Sequence, residues 1–307
     1  MLNGCGEKVN RLVTARPNLF IVGAPKCGTT AWVHYLSRHP DISFSPKKEP
    51  HYFSADFQNY RWVRSLSEYL DLFEGFNTKV VGEASVMYLF SQVAARGIAE
   101  FAPDAKVLIF LRAQRQFIPS FHQQMLYNLD ENESDLGTAW NKSDQRTRAC
   151  MSATCREPQF LNYKAVGNFF EQVARYYACF PQENIKVVSF REWAGNAREQ
   201  YLEILEFLGV PDDGCREFPL VNPAHDHRSK ALARLTQRPP GWARKASALV
   251  RKIPGLATTR PSHAIRAMNR TERYKSRPTD ALLSEIDSYF RESNRRLENL
   301  VGREFFL

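Results

Sequence analysis

Residues 18–30 read Asn18-Leu-Phe-Ile-Val-Gly23-Ala-Pro-Lys26-Cys-Gly28-Thr-Thr30. The first six residues form a short apolar run that is β-branched and aromatic, which is typical of a buried parallel strand. From Thr29 onward apolar side chains recur at helical spacing, and the run ends at Pro40 because proline cannot continue a helix. The stretch therefore predicts a strand, a glycine-containing loop and a helix in immediate succession.

The same alternation continues along the chain. Strand-like runs recur at 79–82, 106–111 and 185–190, and helical patterns occupy 114–127, 169–180, 199–208 and 282–297. Strands that alternate with helices indicate a central parallel sheet flanked by helices. With 307 residues and 43% hydrophobic content, we expect one α/β domain with a P-loop-like nucleotide site.

Two segments differ from this pattern. Residues 1–17 form an N-terminal extension with no apolar stretch of signal-peptide length, and no run of about 18 apolar residues predicts a membrane span. We therefore expect a cytoplasmic protein. Residues 129–158 are polar and irregular, and we expect them to form a flexible loop that faces the acceptor.

Basic residues are concentrated between 225 and 277. This segment carries fourteen Lys or Arg residues against two acids, whereas the rest of the chain carries 28 basic and 31 acidic residues. Such a local positive field suits an anionic ligand, an anionic polymer or a membrane surface. The alternative is a solvated charge run. Because only Trp242 and Tyr274 interleave aromatic rings with the charges, nucleic-acid binding is not favoured.

Part of the basic segment, residues 241–255, has the pattern of a short amphipathic cationic helix. Such a helix can lie on an anionic membrane, which would give peripheral membrane contact. It can equally bury its apolar side in its own domain. The six cysteines show no CxxC pair and no neighbouring histidine cluster, so we expect neither a zinc site nor a disulfide scaffold.

The loop after the first strand has the features of a phosphate site. Its small residues let backbone N–H groups approach an anion at a helix N-terminus, where the helix dipole favours negative charge. The residues that we expect to bind the nucleotide there are Pro25, Lys26, Cys27, Gly28, Thr29 and Thr30. An ordinary glycine-containing turn is the alternative.

Comparison with the P-loop of nucleotide triphosphatases indicates whether the nucleotide reaction uses Mg²⁺. Position 29 is threonine where that motif has lysine, and no convincing strand-end aspartate is available to hold Mg²⁺. We therefore expect a nucleotide reaction without a metal. A kinase-like P-loop enzyme remains the alternative, and it would require Mg²⁺-dependent ATP binding.

Three stretches together resemble a known family. The first comprises residues 20–30 together with Lys48-Glu49-Pro-His51-Tyr-Phe53. The second is Val107-Leu-Ile-Phe-Leu-Arg112, with Ser120 eight residues after the arginine. The third is Tyr274-Lys275-Ser-Arg277-Pro278. They resemble the sulfotransferases that use 3′-phosphoadenosine 5′-phosphosulfate (PAPS), particularly the carbohydrate branch with its heparan-type and bacterial members. The resemblance implies transfer of a sulfuryl group from PAPS to an acceptor hydroxyl, with PAP as the product.

The resemblance also implies roles for single residues. Arg112 and Ser120 would bind the 3′-phosphate, and an arginine fork with a hydroxyl suits a phosphate dianion. Tyr274, Lys275 and Arg277 would close over the nucleotide as a lid.

Glu49 would be the general base, and we expect partial desolvation to raise its pKa toward the working range. His51 is the second candidate. Otherwise Glu49 would be an ordinary surface carboxylate and Arg112 a surface ion-pair partner.

The acceptor is less well defined. A carbohydrate or glycoconjugate is implied, with a small molecule or a lipid as alternatives. Many carbohydrate sulfotransferases have Glu-Lys-Ser/Thr-Pro after the next strand, whereas this chain reads Glu83-Ala84-Ser85-Val86. The missing lysine indicates a different acceptor pocket, in which Glu83 would orient the acceptor directly or act through another residue. The sequence makes no prediction of the oligomeric state.

Overall fold

The computed structural model describes residues 15–145, 155–219 and 278–303, together with two short strands at 226–227 and 270–271. The chain divides into two compact units. The first comprises Met1–Arg112 and Glu171–Pro219, and the second comprises Ala113–Phe170 and Leu220–Leu307.

The first unit contains a five-stranded parallel sheet. Its strands are β1 (Leu19–Gly23), β2 (Ile42–Phe44), β3 (Val80–Ala84), β4 (Lys106–Leu111) and β5 (Ile185–Ser189), in the spatial order β2-β3-β1-β4-β5. Across both units, the described residues form the helices α1 (Thr29–Leu36), α2 (Leu66–Leu70), α3 (Ala94–Phe101), α4 (Gln114–Tyr127), α5 (Leu136–Asn141), α6 (Tyr163–Gly167), α7 (Phe169–Tyr177), α8 (Phe190–Gly195), α9 (Ala197–Leu208) and α10 (Asp280–Val301).

The predicted α/β fold with a central parallel sheet and flanking helices is confirmed. All five residues of β1 and all five of β3 are buried, as expected for a parallel sheet that is covered on both faces. The three-residue strand β2 was not predicted, because so short a segment carries little periodicity. The assignment of the whole chain to one domain stays a prediction.

Strand order decides where functional residues meet. β1 pairs with β3 on one side and with β4 on the other. Because all strands are parallel, the loop after β1, the residues after β3 and Arg112 after β4 leave the sheet at the same edge. Ligands of open α/β sheets bind at this carboxyl edge.

In the second unit, α10 packs against α4 and α6. Gln114 donates to Asn294 Oδ1 over 2.7 Å, and Asn294 donates back to Gln114 Oε1 over 3.0 Å. Gly167, the last residue of α6, lies against the buried ring of Phe290. The predicted helical pattern at 282–297 is therefore confirmed within a longer helix.

The prediction that residues 129–158 form an irregular loop is wrong for Leu136–Asn141. Helix α5 lies inside this segment, and the Asp135 carboxylate caps it by accepting the Thr138 N–H over 2.8 Å. Buried Asp130 forms an ion pair of 2.7 Å with Arg156, which ties the two ends of the segment together. Capping and a buried ion pair order a stretch whose polar composition predicted a loop. Its position facing the acceptor stays a prediction.

Other predictions fall mostly on residues outside the described ranges. Of the N-terminal extension only 15–17 are described, and of the basic segment only Asp226–His227 and Arg270–Thr271, which pair as antiparallel strands. The amphipathic pattern at 241–255 lies outside the described residues. None of the helices in the described ranges is long and apolar enough to cross a bilayer.

Gly167→Ala tests the packing of α10. A Cβ at this position would lie 2.6 Å from Phe290 Cζ, and because Phe290 is buried we expect a loss of about 1 to 3 kcal/mol in unfolding free energy. Gly195→Ala is the matched control, since Gly195 also ends a short helix and no atom lies within 4 Å of its added Cβ. Urea unfolding of both variants measures the difference. Equal stability would contradict the packing described.

Candidate functional site

The loop between β1 and α1 leaves the helix N-terminus open. Gly28 is the N-cap residue, with a φ of 88° and no side-chain cap. Lys26 also has a positive φ of 62°, which is uncommon for a residue with a side chain. A strained loop that presents uncapped N–H groups suits an anion at the positive end of the helix dipole.

Trp193 of α8 fixes this loop from one side. A Cβ at Gly28 would lie 2.3 Å from Trp193 Cζ2, so only glycine fits both the backbone conformation and the space. The sequence analysis missed α8 because the strand prediction ran one residue into it. The signal was present in Ser189 and Glu192, which form the capping box at the start of this helix.

Two cations meet beside the loop. The Arg112 guanidinium lies 4.1 Å above the Phe190 ring, and its Nη1 is 3.5 Å from the Lys26 carbonyl oxygen. Burial lowers the pKa of the Lys26 ammonium, and the nearby Arg112 charge lowers it further. Since like charges repel, a bound anion would stabilise this pair.

The remaining loop residues are packed closely. The Cys27 thiol is fully buried and donates to the Pro25 carbonyl over 3.4 Å. Burial raises the pKa of Cys27, so the group stays a neutral thiol at physiological pH. Thr29 is buried, whereas Thr30 is partly exposed. Cys27 therefore contributes to the loop by packing its side chain and by its backbone N–H, and not as a thiolate.

Glu49 lies in the segment after β2 and belongs to the same group of charges. Its carboxylate pairs with Lys48 Nζ at 2.6 Å and lies 3.5 Å from His51 Nε2. It is also near enough to Lys26 to raise the pKa of that ammonium. Of the two predicted bases, Glu49 has a side chain that is 36% exposed, whereas that of His51 is 1% exposed.

The expectation that desolvation brings the pKa of Glu49 up toward neutrality is wrong. Desolvation does raise the pKa of the carboxyl, but the Lys48 charge and the His51 ring outweigh it and hold the pKa well below its usual range. Glu49 is therefore ionised at neutral pH, so it can accept a proton without first losing one.

Glu83 is fully buried at the end of β3, and whether it orients the acceptor directly or acts through another residue stays a prediction. Ser85 Oγ donates to Glu83 Oε1 over 2.6 Å, and Tyr69 Oη donates to Glu83 Oε2 over 3.3 Å. Desolvation raises the pKa of Glu83 to about 7, although these hydrogen bonds oppose the shift. The sequence marked Glu83 by its motif but gave no signal of this burial.

The other predicted residues are not assembled by the described part of the chain. Ser120 lies in α4 of the second unit, and its pairing with Arg112 stays a prediction. Tyr274, Lys275 and Arg277 lie outside the described residues. The structure thus brings together Lys26, Glu49, His51 and Arg112 with the loop.

Glu83→Gln tests the buried carboxyl. The usual pKa of glutamate is 4.5 and that of Glu83 is about 7, so the folded state binds this proton more tightly than the unfolded chain. The contribution of Glu83 to the unfolding free energy therefore falls by about 2.5 kcal/mol as the pH rises from 5 to 8. We expect Glu83→Gln to remove this slope in urea unfolding.

Glu49→Gln is the control for this measurement. Because the pKa of Glu49 is held below its usual value of 4.5, the carboxyl stays ionised between pH 5 and 8 in the folded state and titrates mostly below pH 5 in the unfolded chain. The stability difference between wild type and Glu49→Gln should stay constant over this range. A constant difference for Glu83→Gln as well would contradict the raised pKa.

Two known proteins are similar in sequence to parts of this chain. A membrane-associated sulfotransferase, kil1, of Dictyostelium discoideum is 33% identical over 97 residues, which are 31% of this chain and 20% of that protein. Carbohydrate sulfotransferase 15 of Rattus norvegicus is 23% identical over 277 residues, covering 73% of this chain and 48% of that protein. The chain spans less than half the length of either relative.

A solved structure covers nearly the whole chain. The sulfotransferase from Alicyclobacillus acidocaldarius superposes with a TM-score of 0.68 at 29% identity, over 95% of this chain and 98% of that one. The sulfotransferase domain, as a sequence family, matches residues 16–220, which include the loop, Glu49, Glu83 and Arg112. The chain therefore belongs to the sulfotransferase family.

Proposed function

We propose that this protein transfers the sulfuryl group of PAPS to a hydroxyl group of an acceptor. The observation that carries the proposal is the meeting of Lys26 and Arg112 at an uncapped helix N-terminus, with the Glu49 carboxylate in the same electrostatic group. Cations and N–H groups suit the donor nucleotide, and a carboxylate suits the proton of the acceptor.

The residues present fit PAPS. The loop amides from Lys26 to Thr30 and the hydroxyl of Thr30 would hold the 5′-phosphate, since small residues and a glycine N-cap leave the N–H groups accessible. Arg112 would hold the 3′-phosphate, with Ser120 as its predicted partner. PAPS supplies the sulfuryl group and leaves as PAP.

Lys26 would stabilise the leaving group. As the acceptor oxygen forms its bond to sulfur, the bond from sulfur to the 5′-phosphate oxygen breaks, and negative charge develops on that phosphate oxygen. A cation already held in place by burial stabilises this charge without reorganisation. The neighbouring Arg112 charge adds to the positive potential that the leaving group meets.

Glu49 would take the acceptor proton. Its carboxylate is ionised at neutral pH and partly exposed, so an acceptor hydroxyl can reach it. The low pKa makes Glu49 a weak base, which suffices because the hydroxyl proton becomes acidic as its oxygen bonds to sulfur. His51 remains the second candidate, but its ring is buried, which favours Glu49.

A carbohydrate or glycoconjugate is the acceptor class that we propose. Support comes from the rat relative, which is named a carbohydrate sulfotransferase. Ala84 replaces the lysine of many such enzymes, so the acceptor pocket lacks that cation. A small-molecule or lipid acceptor is the alternative. The cytoplasmic location, the membrane contact of the basic segment, and the absence of a metal and of nucleic acid as partners stay predictions.

Lys26→Ala and Glu49→Gln should fail in different ways, because one residue serves the donor and the other the acceptor. Lys26→Ala should reduce kcat by about 10² or more through lost charge stabilisation. Glu49→Gln should lower the rate by about 10² to 10⁴ and keep the affinity for PAP. The rates are measured as transfer from radiolabelled PAPS to a panel of saccharide and phenolic acceptors. The affinity for PAP is measured by calorimetric titration.

Lys47→Ala is the control for the loss of a cation. Lys47 is exposed and lies two residues before Glu49, so its removal should change neither kcat nor PAP affinity by more than about twofold. Near-normal turnover of Glu49→Gln together with an inactive His51→Ala would assign the base to His51. No transfer from PAPS by the wild-type protein to any acceptor of the panel would contradict the proposed function.

A further inference from the structure

The segment that carries Glu49 and His51 is held in an unfavourable backbone conformation. Glu49 has a φ of 61° and His51 a φ of 54°, and neither residue is a glycine. Such conformations persist only where surrounding contacts determine them, and they concentrate at functional sites. The contacts that hold this segment therefore decide where the Glu49 carboxylate and the His51 ring point.

Two hydrogen bonds anchor the segment to the end of β3. The Glu49 N–H donates to the Ala84 carbonyl over 2.9 Å, and the His51 N–H donates to Ser85 Oγ over 3.0 Å. The first bond needs only backbone atoms. The second depends on one side chain, because Ser85 Oγ is the acceptor that the His51 N–H uses.

Glu83 fixes the orientation of the Ser85 hydroxyl. Ser85 Oγ donates its proton to Glu83 Oε1 over 2.6 Å, so its lone pairs face the His51 N–H. Ser85 and Glu83 are both fully buried. A hydrogen bond to an ionised carboxylate is shorter and stronger than a neutral one. The chain of contacts runs from Glu83 through Ser85 to the backbone that carries both candidate bases.

We propose that Glu83 and Ser85 are positioning residues that hold Glu49 and His51 in their catalytic orientation. The inference rests on the proposed function, because it concerns the residues that would take the acceptor proton. Glu83 has no direct contact with acceptor or donor in this account. Its effect reaches the reacting atoms through the Ser85 hydroxyl and the backbone of His51.

The proposal implies a dependence on pH. Protonation of Glu83 removes the ionised acceptor of the Ser85 hydroxyl and weakens the anchor. The titratable groups that face Glu83 are Tyr69 of α2, Tyr88 after β3, Tyr176 of α7 and Lys48 in the segment after β2. Burial raises the pKa of all three tyrosines, so they remain neutral and Glu83 is the group of this cluster that titrates near neutrality.

Ser85→Ala tests the anchor, and Ser91→Ala is its matched control. Ser91 is equally buried, and its Oγ also donates to a carboxylate over 2.6 Å, that of Asp56, but it accepts the N–H groups of Val93 and Ala94 instead of that of His51. Both variants should lose similar thermal stability. Ser85→Ala should also lose about 10²-fold in kcat, because small displacements of a catalytic group have effects of that size. PAP affinity should stay within about twofold of wild type.

Glu83→Gln supplies the second readout. In the wild type, kcat with the best acceptor of the radiolabelled PAPS panel should fall as the pH drops below about 7, because Glu83 becomes protonated. Glutamine still accepts the Ser85 hydroxyl but does not titrate, so this acid limb should disappear in Glu83→Gln and remain in Ser91→Ala.

The outcomes separate the two proposals. The positioning role is supported if kcat falls more in Ser85→Ala than in Ser91→Ala while PAP affinity is kept. It also requires that the acid limb be absent in Glu83→Gln. Equal kcat in the two serine variants, or an acid limb that persists in Glu83→Gln, overturns that role while wild-type turnover leaves the proposed function standing. A wild-type protein that binds no PAP and transfers nothing overturns both.

Discussion

Parallel pairing of β1 with its neighbours β3 and β4 is the constraint on which the site depends. It brings the ends of three strands to one edge, so the loop after β1, Glu83 at the end of β3 and Arg112 after β4 become neighbours. Residues that are distant in sequence then share one electrostatic environment. Glu49 joins them because the end of β3 accepts its N–H. The electrostatic properties of the site therefore depend on the proximity of these residues more than on any one of them.

Charged groups at that edge of the sheet shift one another's pKa values. Lys26 and Arg112 repel, which lowers the pKa of Lys26 beyond the effect of burial and prepares the loop for an anion. Glu49 is balanced by Lys48, which keeps it ionised despite desolvation. Glu83 has no such cation at bonding distance among the described residues and carries a raised pKa. The pKa of the partly exposed Glu49 is therefore lowered and that of the buried Glu83 is raised, each from its usual value.

Local patterns were sufficient for the fold and for the residues of the loop. The strand, loop and helix at residues 18–36 follow from side-chain periodicity and glycine placement, which act over a few residues. Effects that depend on the folded conformation of a segment were not predictable in this way. The pKa of Glu49 depends on the positions of the Lys48 ammonium and the His51 ring around its carboxylate. Hydrophobic periodicity does not predict the positions of these side chains. The helix inside 129–158 begins at the Asp135 cap, and the Asp130–Arg156 ion pair joins residues that are 26 apart in sequence.

We propose that the loop and its two cations, Lys26 and Arg112, bind the nucleotide of a sulfuryl donor. The most direct test is calorimetric titration with PAP in the presence of EDTA, compared with ATP in the presence of Mg²⁺. We expect PAP to bind without metal and, in large excess, to raise the unfolding free energy by about 3 to 4 kcal/mol, with a weaker effect in Lys26→Ala. Binding of ATP that requires Mg²⁺, with no heat from PAP, would contradict it.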